Sequence, residues 1–286
     1  MRGGQWQVLY LLQGLAQRGI DSRLLAPAAS PLFAAAKAAG LDAEPLLRGA
    51  WIRNARRFDL LHAHDAHAHT LALLSSRPLL VSRRVAFPLK RTPWSWLKYR
   101  RTRHFLAVSD YVQSVLVQAG IPVTKVSVVY DGAYLPDRVS PLTGPVIALD
   151  SDDPGKGKAI VEQASRLAGI PVHFSRALQR DLSDAALFVY ITELEGLGSA
   201  ALLAMSYGVP VLASRTGGLP EIVEPGVTGL PTPNDPAAIA ERMRLIREDP
   251  GLAMRLGRGA RAAVERRFTV ARMVEDTVRA YEAVLS

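Results

Sequence analysis

The sequence predicts an α/β chain of two doubly wound domains, each built around a mainly parallel sheet. Three observations predict it. Short β-branched or leucine-rich runs alternate with amphipathic stretches along almost the whole chain, which is the rhythm of repeated βα units. A segment rich in Pro, Asp and Gly, from Asp131 to Pro145, has no periodic apolar pattern and reads as an interdomain linker. The 286 residues are 49% apolar, enough for real hydrophobic cores, which excludes a disordered or fibrous chain.

In the first half the predicted strands are Ser22–Leu25, Leu60–Ala63, Leu79–Ser82, His104–Val108 and Val126–Tyr130. Helices are predicted to begin near Gln5, Ser30, Ala66, Pro93 and Asp110, several with Ser, Asp or Pro at the start and Gly19, Gly40 or Gly120 just past the end. After the linker come strand Val146–Leu149, helix Lys156–Ala168, strands Val172–Phe174 and Ala186–Ile191, helix Ser199–Tyr207 and strand Val211–Ala213. From Pro236 onward the pattern is helical, in three pieces divided near Pro250 and Phe268. In the last, Val270, Met273, Val274, Val278, Tyr281 and Val284 form one apolar stripe. Two Rossmann-like domains fit, one over residues 1–135 and one over 145–268. Such a domain should open with a strand, whereas here Arg2, Gly3 and Gly4 lead straight into a helix, so a first strand is missing or dispensed with.

Thirty-five Lys and Arg against 26 Asp and Glu leave a net charge of +9, which favours anionic partners. There is no cysteine, hence no disulfide framework, thiolate nucleophile or Cys-ligated metal, and a reducing cytoplasmic compartment is expected. No run approaches the roughly 18 apolar residues of a spanning helix, which leaves a soluble protein or one lying on a membrane surface.

The most informative stretch runs from Glu195-Gly196-Leu197-Gly198-Ser199 through the apolar residues to Met205, then Gly208-Val209-Pro210 and Gly217-Gly218-Leu219-Pro220-Glu221. A strand ending in a Gly-rich turn that opens a helix collects backbone N–H groups and the positive helix end at one spot, which suits a diphosphate. A tight strand-to-helix turn without a ligand is the alternative on the glycines alone. Further motifs stand in order along the chain. Gly3-Gly4 are followed by Leu12, Leu15, Arg18 and Gly19; then come Asp59-Leu60-Leu61-His62-Ala63-His64, Val108-Ser109, Gly120-Ile121-Pro122, Lys125-Val126 and Val129-Tyr130-Asp131-Gly132.

Taken together, these motifs resemble the retaining GT-B-fold glycosyltransferases of the family-four type (glycosyl transferases group 1), in a short form with a reduced donor domain. The resemblance implies two Rossmann-like domains facing a central cleft, an acceptor domain over 1–135 joined by a returning C-terminal helix over 269–286, and a nucleotide-sugar donor domain over 145–268. It implies that Glu195 and Lys156 are catalytic, with Lys156 on the donor phosphates and Glu195 near the transferred sugar. Gly3, Gly4, Gly196, Leu197, Gly198 and Ser199 would complete the donor site. Positive charge at the diphosphate would stabilise the leaving group, so neither metal nor cofactor is expected and the nucleotide-sugar is a co-substrate.

The chain departs from the family pattern in places. A second glutamate usually follows the first by eight residues and meets the ribose; here that position is Leu203. Strand Val146–Leu149 lacks the usual Arg, and only about twenty residues separate Val172 from Ile191, where βα units normally cradle the base. Arg83-Arg84 stand where a histidine often lies close to the sugar. These departures leave open a catalytically inactive GT-B-like binding or scaffold protein.

The run His62-Ala63-His64-Asp65-Ala66-His67-Ala68-His69 admits three readings. It can be a zinc site drawing on His104 and His173, a strand end opening a surface helix, or a set of ligand-facing residues, since carboxyl ends of parallel strands line crevices. The last is preferred, giving His62, His64 and Asp65 as acceptor-binding residues and no metal; Arg83 and Arg84 join them as acceptor-binding residues from the basic stretch that follows. From Arg83 to Arg103 the chain holds Arg83, Arg84, Lys90, Arg91, Lys98, Arg100, Arg101 and Arg103, no acidic residue, and Phe87, Trp94, Trp96 and Tyr99. That composition fits an interfacial helix on an anionic membrane, a phosphorylated acceptor, or a solvated basic helix whose Trp residues are core. No helix-turn-helix, zinc or RNP-type pattern accompanies it, so nucleic acid is not expected. The acceptor implied is a glycan or a lipid-linked or lipopolysaccharide-type glycan, at the inner face of the cytoplasmic membrane.

Overall fold

The computed structural model describes residues 1–47, 50–87 and 92–286, and Lys90 and Arg91 of the basic run lie outside them. The chain divides into two compact units, Met1–Gly132 with Val270–Ser286, and Ala133–Thr269. In chain order the first contains α1 (Gly3–Gln17), β1 (Leu24–Ala26), α2 (Pro31–Ala38), β2 (Ala43–Pro45), α3 (Ala50–Ala55), β3 (Leu61–Ala63), α4 (Ala66–Ala72), β4 (Leu79–Arg83), α5 (Pro93–Arg101), β5 (His104–Ala107), α6 (Asp110–Gln118) and β6 (Val126–Val128). The second contains β7 (Val146–Leu149), α7 (Lys158–Ala168), β8 (Val172–Ser175), α8 (Leu178–Asp181), β9 (Leu187–Tyr190), α9 (Ser199–Ser206), β10 (Val211–Ser214), β11 (Gly229–Thr232), α10 (Pro236–Glu248) and α11 (Pro250–Arg267), before α12 (Val270–Leu285) rejoins the first.

Local chemistry sets many of the helix starts. Ser30, Asp65, Thr92, Ser109, Asp235 and Asp249 each accept a hydrogen bond from a first-turn N–H, a contribution of about 1 kcal/mol per cap. Pro follows the cap in α2, α5, α10 and α11, where its missing donor costs nothing.

In the first unit, β3-β4-β5-β6 form one parallel sheet in sequential order, and β1 pairs with β2 in a separate parallel pair. α1 joins the two. Its Tyr10, Leu11 and Leu15 pack with Leu80, Leu106 and the α12 residues Met273 and Val274, while Val8, Leu9 and Leu12 pack with Leu24, Leu32 and Ala43. Gly14 lets the helices approach, since a Cβ there would lie 2.4 Å from a Val274 methyl. Gln7 is buried and its amide both donates to Gly132 O and accepts from Gly132 N, at 2.9 Å each, tying α1 to the chain after β6. The α12 stripe is buried at Val270, Met273, Val274 and Val284, with Val278 and Tyr281 partly buried beside it.

The second unit is a parallel five-stranded sheet in the order β11-β10-β9-β7-β8. Numbered from β7, this is order 2-1-3-4-5, so the winding reverses between β7 and β9. Only the four-residue α8 lies between β8 and β9. The Pro-, Asp- and Gly-rich segment packs onto this unit: Ser140 N donates to Tyr207 O and Ser140 Oγ to Ala185 O.

Two strands are absent from the sequence expectation. β2 (Ala-Glu-Pro) and β11 (Gly-Leu-Pro-Thr) carry little β-branching and a proline each. Both are sheet edges, where a proline costs no ladder bond. Among the described residues no helix is long and apolar enough to cross a membrane.

Candidate active site

In an open parallel sheet, ligands gather at the carboxyl ends of the strands where the winding reverses. In the second unit that point lies between β7 and β9, and the chain there delivers both sequence-predicted catalytic residues. After β7, Asp153 Oδ1 accepts from Gly155 N (3.0 Å) and shapes a single 3-10 turn, Pro154–Lys156. Gly155 O in turn accepts from Glu193 N (2.9 Å) and Thr192 Oγ1 (3.1 Å), which locks this loop to the one after β9. Gly157, at φ +65°, must be glycine: a Cβ would lie 2.7 Å from the Ile191 side chain.

Held this way, Lys156 Nζ meets Glu195 Oε2 at 2.7 Å, both side chains mostly shielded from water. Glu195 accepts two further bonds, from Tyr190 Oη (2.5 Å) to Oε2 and from Gly196 N (3.1 Å) to Oε1. Burial, reinforced by the Glu195 carboxylate, pushes the Tyr190 phenol well above its ordinary range, so it remains a donor. Lys156 Nζ also lies 5.7 Å from the Tyr190 ring centroid. Gly217, at φ +57°, would place a Cβ 1.8 Å from Glu195 O, so the loop after β10 fixes the glutamate backbone. Thr192 N donates to Ser214 Oγ, which donates to Asn234 Oδ1, and Asn234 Nδ2 donates to Thr192 O, closing a polar ring behind the site.

Gly196, Leu197 and Gly198 are buried and Ser199 is partly exposed. Gly198 (φ +109°) opens α9, and no side chain caps the helix start. Cations reach this edge from a source the sequence reading missed: Arg176 after β8 and Lys158 at the head of α7 both pair with Asp150 (2.5 and 2.7 Å). They hold the Asp150 carboxyl below its ordinary range through hydrogen bonds from Lys158 and then Arg176.

In the first unit the predicted residues lie at the carboxyl edge of the β3-β6 sheet. His62 bridges Tyr281 Oη (2.7 Å) and Ser82 Oγ (2.8 Å). The His62 and His64 rings lie against each other, tilted by 37° with centroids 3.9 Å apart. Arg84 Nε donates to the buried Asp131 (3.0 Å), and its Nη1 lies 3.1 Å from His64 Nδ1. A guanidinium only donates, so His64 Nδ1 accepts and the ring proton sits on Nε2. Burial drives His62 down to about 3, the Arg84 charge adding to it, and burial, His62 and Arg84 drive His64 well below its ordinary value. Both rings are neutral at physiological pH. Gly4 lies beside Arg84, where an added Cβ would make ordinary contact at 3.7 Å. Asp65 caps α4 through Ala68 N, and Arg83 Nη2 donates to Phe87 O at 2.6 Å.

His69 is buried against Thr102 Oγ1, His104 meets Ser127 and His173 meets Asp181. Among the described residues no group of three or more His, Cys, Asp or Glu is arranged to hold a metal ion. Tyr190 ends β9 five residues before Glu195, inside the predicted strand Ala186–Ile191, where it reads as one more core residue. Tyr281 lies 219 residues from His62, and no sequence signal pairs them.

Residues 1–135 match the model of Glycosyltransferase Family 4, and residues 171–263 that of Glycosyl transferases group 1. The chain belongs to the group 1, family 4 type glycosyltransferases. It is 38% identical over 136 residues to a D-inositol 3-phosphate glycosyltransferase of Streptomyces avermitilis, an overlap of 44% of this chain and 29% of that one. It is 34% identical over 114 residues to an alpha-maltose-1-phosphate synthase of Mycobacterium tuberculosis, covering 37% and 30%. The chain thus spans less than a third of the length of these curated relatives. Among solved structures, Anabaena HepE in complex with UDP and glucose superposes with a TM-score of 0.83 at 18% identity, covering 99% of this chain and 96% of that one. A sucrose-phosphate synthase from Thermosynechococcus elongatus gives 0.73 at 17%, covering 96% and 91%. The fold of this group 1 family member is therefore the GT-B type.

Proposed function

We propose that this chain is a retaining glycosyltransferase that moves a sugar from a nucleotide-sugar donor to a glycan or lipid-linked acceptor without a metal ion. The observation that carries the proposal is the Lys156–Glu195–Tyr190 cluster at the winding reversal, beside a glycine-led helix start that no side chain caps. HepE is described in complex with UDP and with UDP-glucose, which supports a nucleotide-sugar as the donor here.

In this reading Lys156 keeps two of its three N–H donors beyond the one on Glu195, and they meet the donor diphosphate together with backbone N–H groups of Gly198, Ser199 and the α9 start. Charge that develops on the leaving diphosphate is met by these fixed donors, which is what makes a metal unnecessary. Glu195 positions Lys156 and faces the sugar, and Tyr190 keeps Glu195 aimed. The leaving diphosphate takes the acceptor proton on the same face of the sugar, so configuration is retained without a strong protein base. Positioning supplies the remainder. With Leu203 unable to bond a ribose hydroxyl, nucleotide affinity rests on the phosphates. His62, His64, Asp65, Arg83 and Arg84 bind acceptor, with neutral His64 offering its Nε2–H and Arg84 held by Asp131.

Calorimetric titration with UDP, GDP, ADP and CMP in chelator tests the reading first. Binding of one nucleotide supports it and names the base; no binding by folded protein refutes it. Product anomeric configuration, read by NMR with the matching donor, then tests retention.

A further inference from the structure

The fold divides the basic run of Arg83 to Arg103. Arg83 and Arg84 end β4 at the carboxyl edge of the sheet, in the contacts already described. α5 then carries the chain back, so Arg100, Arg101 and Arg103 arrive at the opposite, amino edge, where Arg103 N donates to Leu79 O at 2.8 Å. A cavity of about 450 Å³ opens there, lined by Arg77, Arg100, Arg101, Arg103 and Lys125 and by no acidic side chain.

These five cations are uncompensated: among the described residues none forms an ion pair. Arg77 Nη2 donates to Arg56 O, Lys125 Nζ reaches Thr102 O at 3.4 Å, and Arg100 lies over the Trp96 ring at 5.1 Å. Like charges converging without a counter-ion repel one another, so the arrangement is stabilised by an anion from outside. Arg100 also links the cavity to α5, a helix without one buried residue. Trp94 is 59% exposed and Trp96 61%, and Phe87 just before the helix is 62% exposed. The Trp residues are therefore not core. Large aromatics standing in water beside unpaired Arg and Lys are what an interfacial surface presents to a bilayer, rings at headgroup depth and cations on the phosphates.

We propose that the face of the first unit along α5 docks on an anionic lipid surface, with a lipid phosphate seated in the amino-edge cavity of Arg77, Arg100, Arg101, Arg103 and Lys125 and the α5 aromatics in the interface. The cavity lies at the sheet edge opposite the carboxyl-edge residues assigned to acceptor, and the proposal stands whether or not the transferase reading does.

Co-sedimentation of the full chain with phosphatidylcholine vesicles, with and without phosphatidylglycerol, tests it. Expected is binding only to the anionic vesicles, weakened by salt, falling about five-fold for each cation removed and so about 25-fold in Arg101→Ala/Arg103→Ala. Trp94→Ser/Trp96→Ser should lower binding while leaving its salt dependence intact. Circular dichroism melts show that the variants fold, and nucleotide titration should be unchanged in the arginine pair. Equal binding to neutral vesicles, or wild-type binding by the arginine pair, overturns the proposal. So does binding of inorganic phosphate or of an oligonucleotide without binding to vesicles, which would make the cavity a soluble-anion or nucleic-acid site.

Discussion

Acid should unfold the first unit well before it affects the second. His62 and His69 are held near 3 against an ordinary value of 6.5, chiefly by burial, with Arg84 and Lys98 respectively adding to it. Because the folded pKa is the lower one, the unfolded chain takes up the proton first, and stability present above about pH 6.5 is lost as the pH falls from there toward 3. A pH of about 5 lies about 1.5 units below the unfolded value of each histidine, a loss of about 2 kcal/mol per ring, or about 4 together as a ceiling, given that His62 is partly exposed. His64 is lowered too and adds in the same direction. Against a typical total of about 5–15 kcal/mol this is large. With a urea slope of about 1–3 kcal/mol per molar, the midpoint should fall by about 2 M between about pH 7.5 and about pH 5. Carboxylates do not confuse that window, since Asp181, held down to about 2 by hydrogen bonds from Arg180 and Ser175, loses its contribution only below its ordinary 3.8. All four tryptophans, Trp6, Trp51, Trp94 and Trp96, lie in the first unit, whereas the second unit's histidine is His173. Tryptophan fluorescence during urea unfolding therefore reads the responsive unit alone. An unchanged midpoint at the two pH values would refute the reasoning, as would a His69→Gln variant with the full wild-type pH dependence.

Lys156→Ala should lower transfer by about 10²–10³-fold, the cost of losing a fixed donor at a developing charge, with the thermal melt unchanged; near wild-type turnover in an assay with the matching donor would remove Lys156 from the site. Tyr190→Phe takes one of three donors from Glu195 and should cost about tenfold in kcat, a hydrogen bond to a charged group being worth about 1.5–3 kcal/mol; steady-state kinetics that move KM alone would contradict the positioning role. Gly14→Ala drives a Cβ into Val274 and should destabilise the first unit by about 1–3 kcal/mol. Val274→Ala in the same chain should recover most of that in the fluorescence-monitored denaturation, and failure of the rescue would deny that α1 and α12 meet there.

Much of the candidate site is legible in the residues because it is built from local geometry. The glycine turn Glu195–Ser199 and the Lys156-Gly157 pair sit at strand ends that periodicity marks, and in both turns a glycine occupies positive φ where a side chain would clash. The histidines after Leu61 likewise fall at a strand end. What their neighbours would be was not legible. Tyr190 is buried on its strand and reads as core until the fold turns its hydroxyl onto Glu195. Asp65 and Arg83, which read as ligand-facing residues, also bond their own neighbourhood, Asp65 Oδ1 accepting from Ala68 N and Arg83 Nη2 donating to Phe87 O, and neither bond was legible in the sequence. The edge strands β2 and β11 were invisible because a sheet margin tolerates the prolines and small residues that periodicity counts against a strand.

The alternating α/β rhythm, many of the helix starts and the glycine-led turns follow from short stretches of chain, since each depends on neighbours within a few positions. Which of those residues meet depends on how the strands and helices pack. Lys156 and Glu195 are 39 positions apart and are joined because parallel β7 and β9 are adjacent in the sheet. His62 and Tyr281 are 219 apart and meet because α12 returns to the first unit. The same parallel crossover separates neighbours in sequence, sending Arg83-Arg84 to one edge of a sheet and Arg101-Arg103 to the other, because a strand and the helix that follows it run in opposite directions.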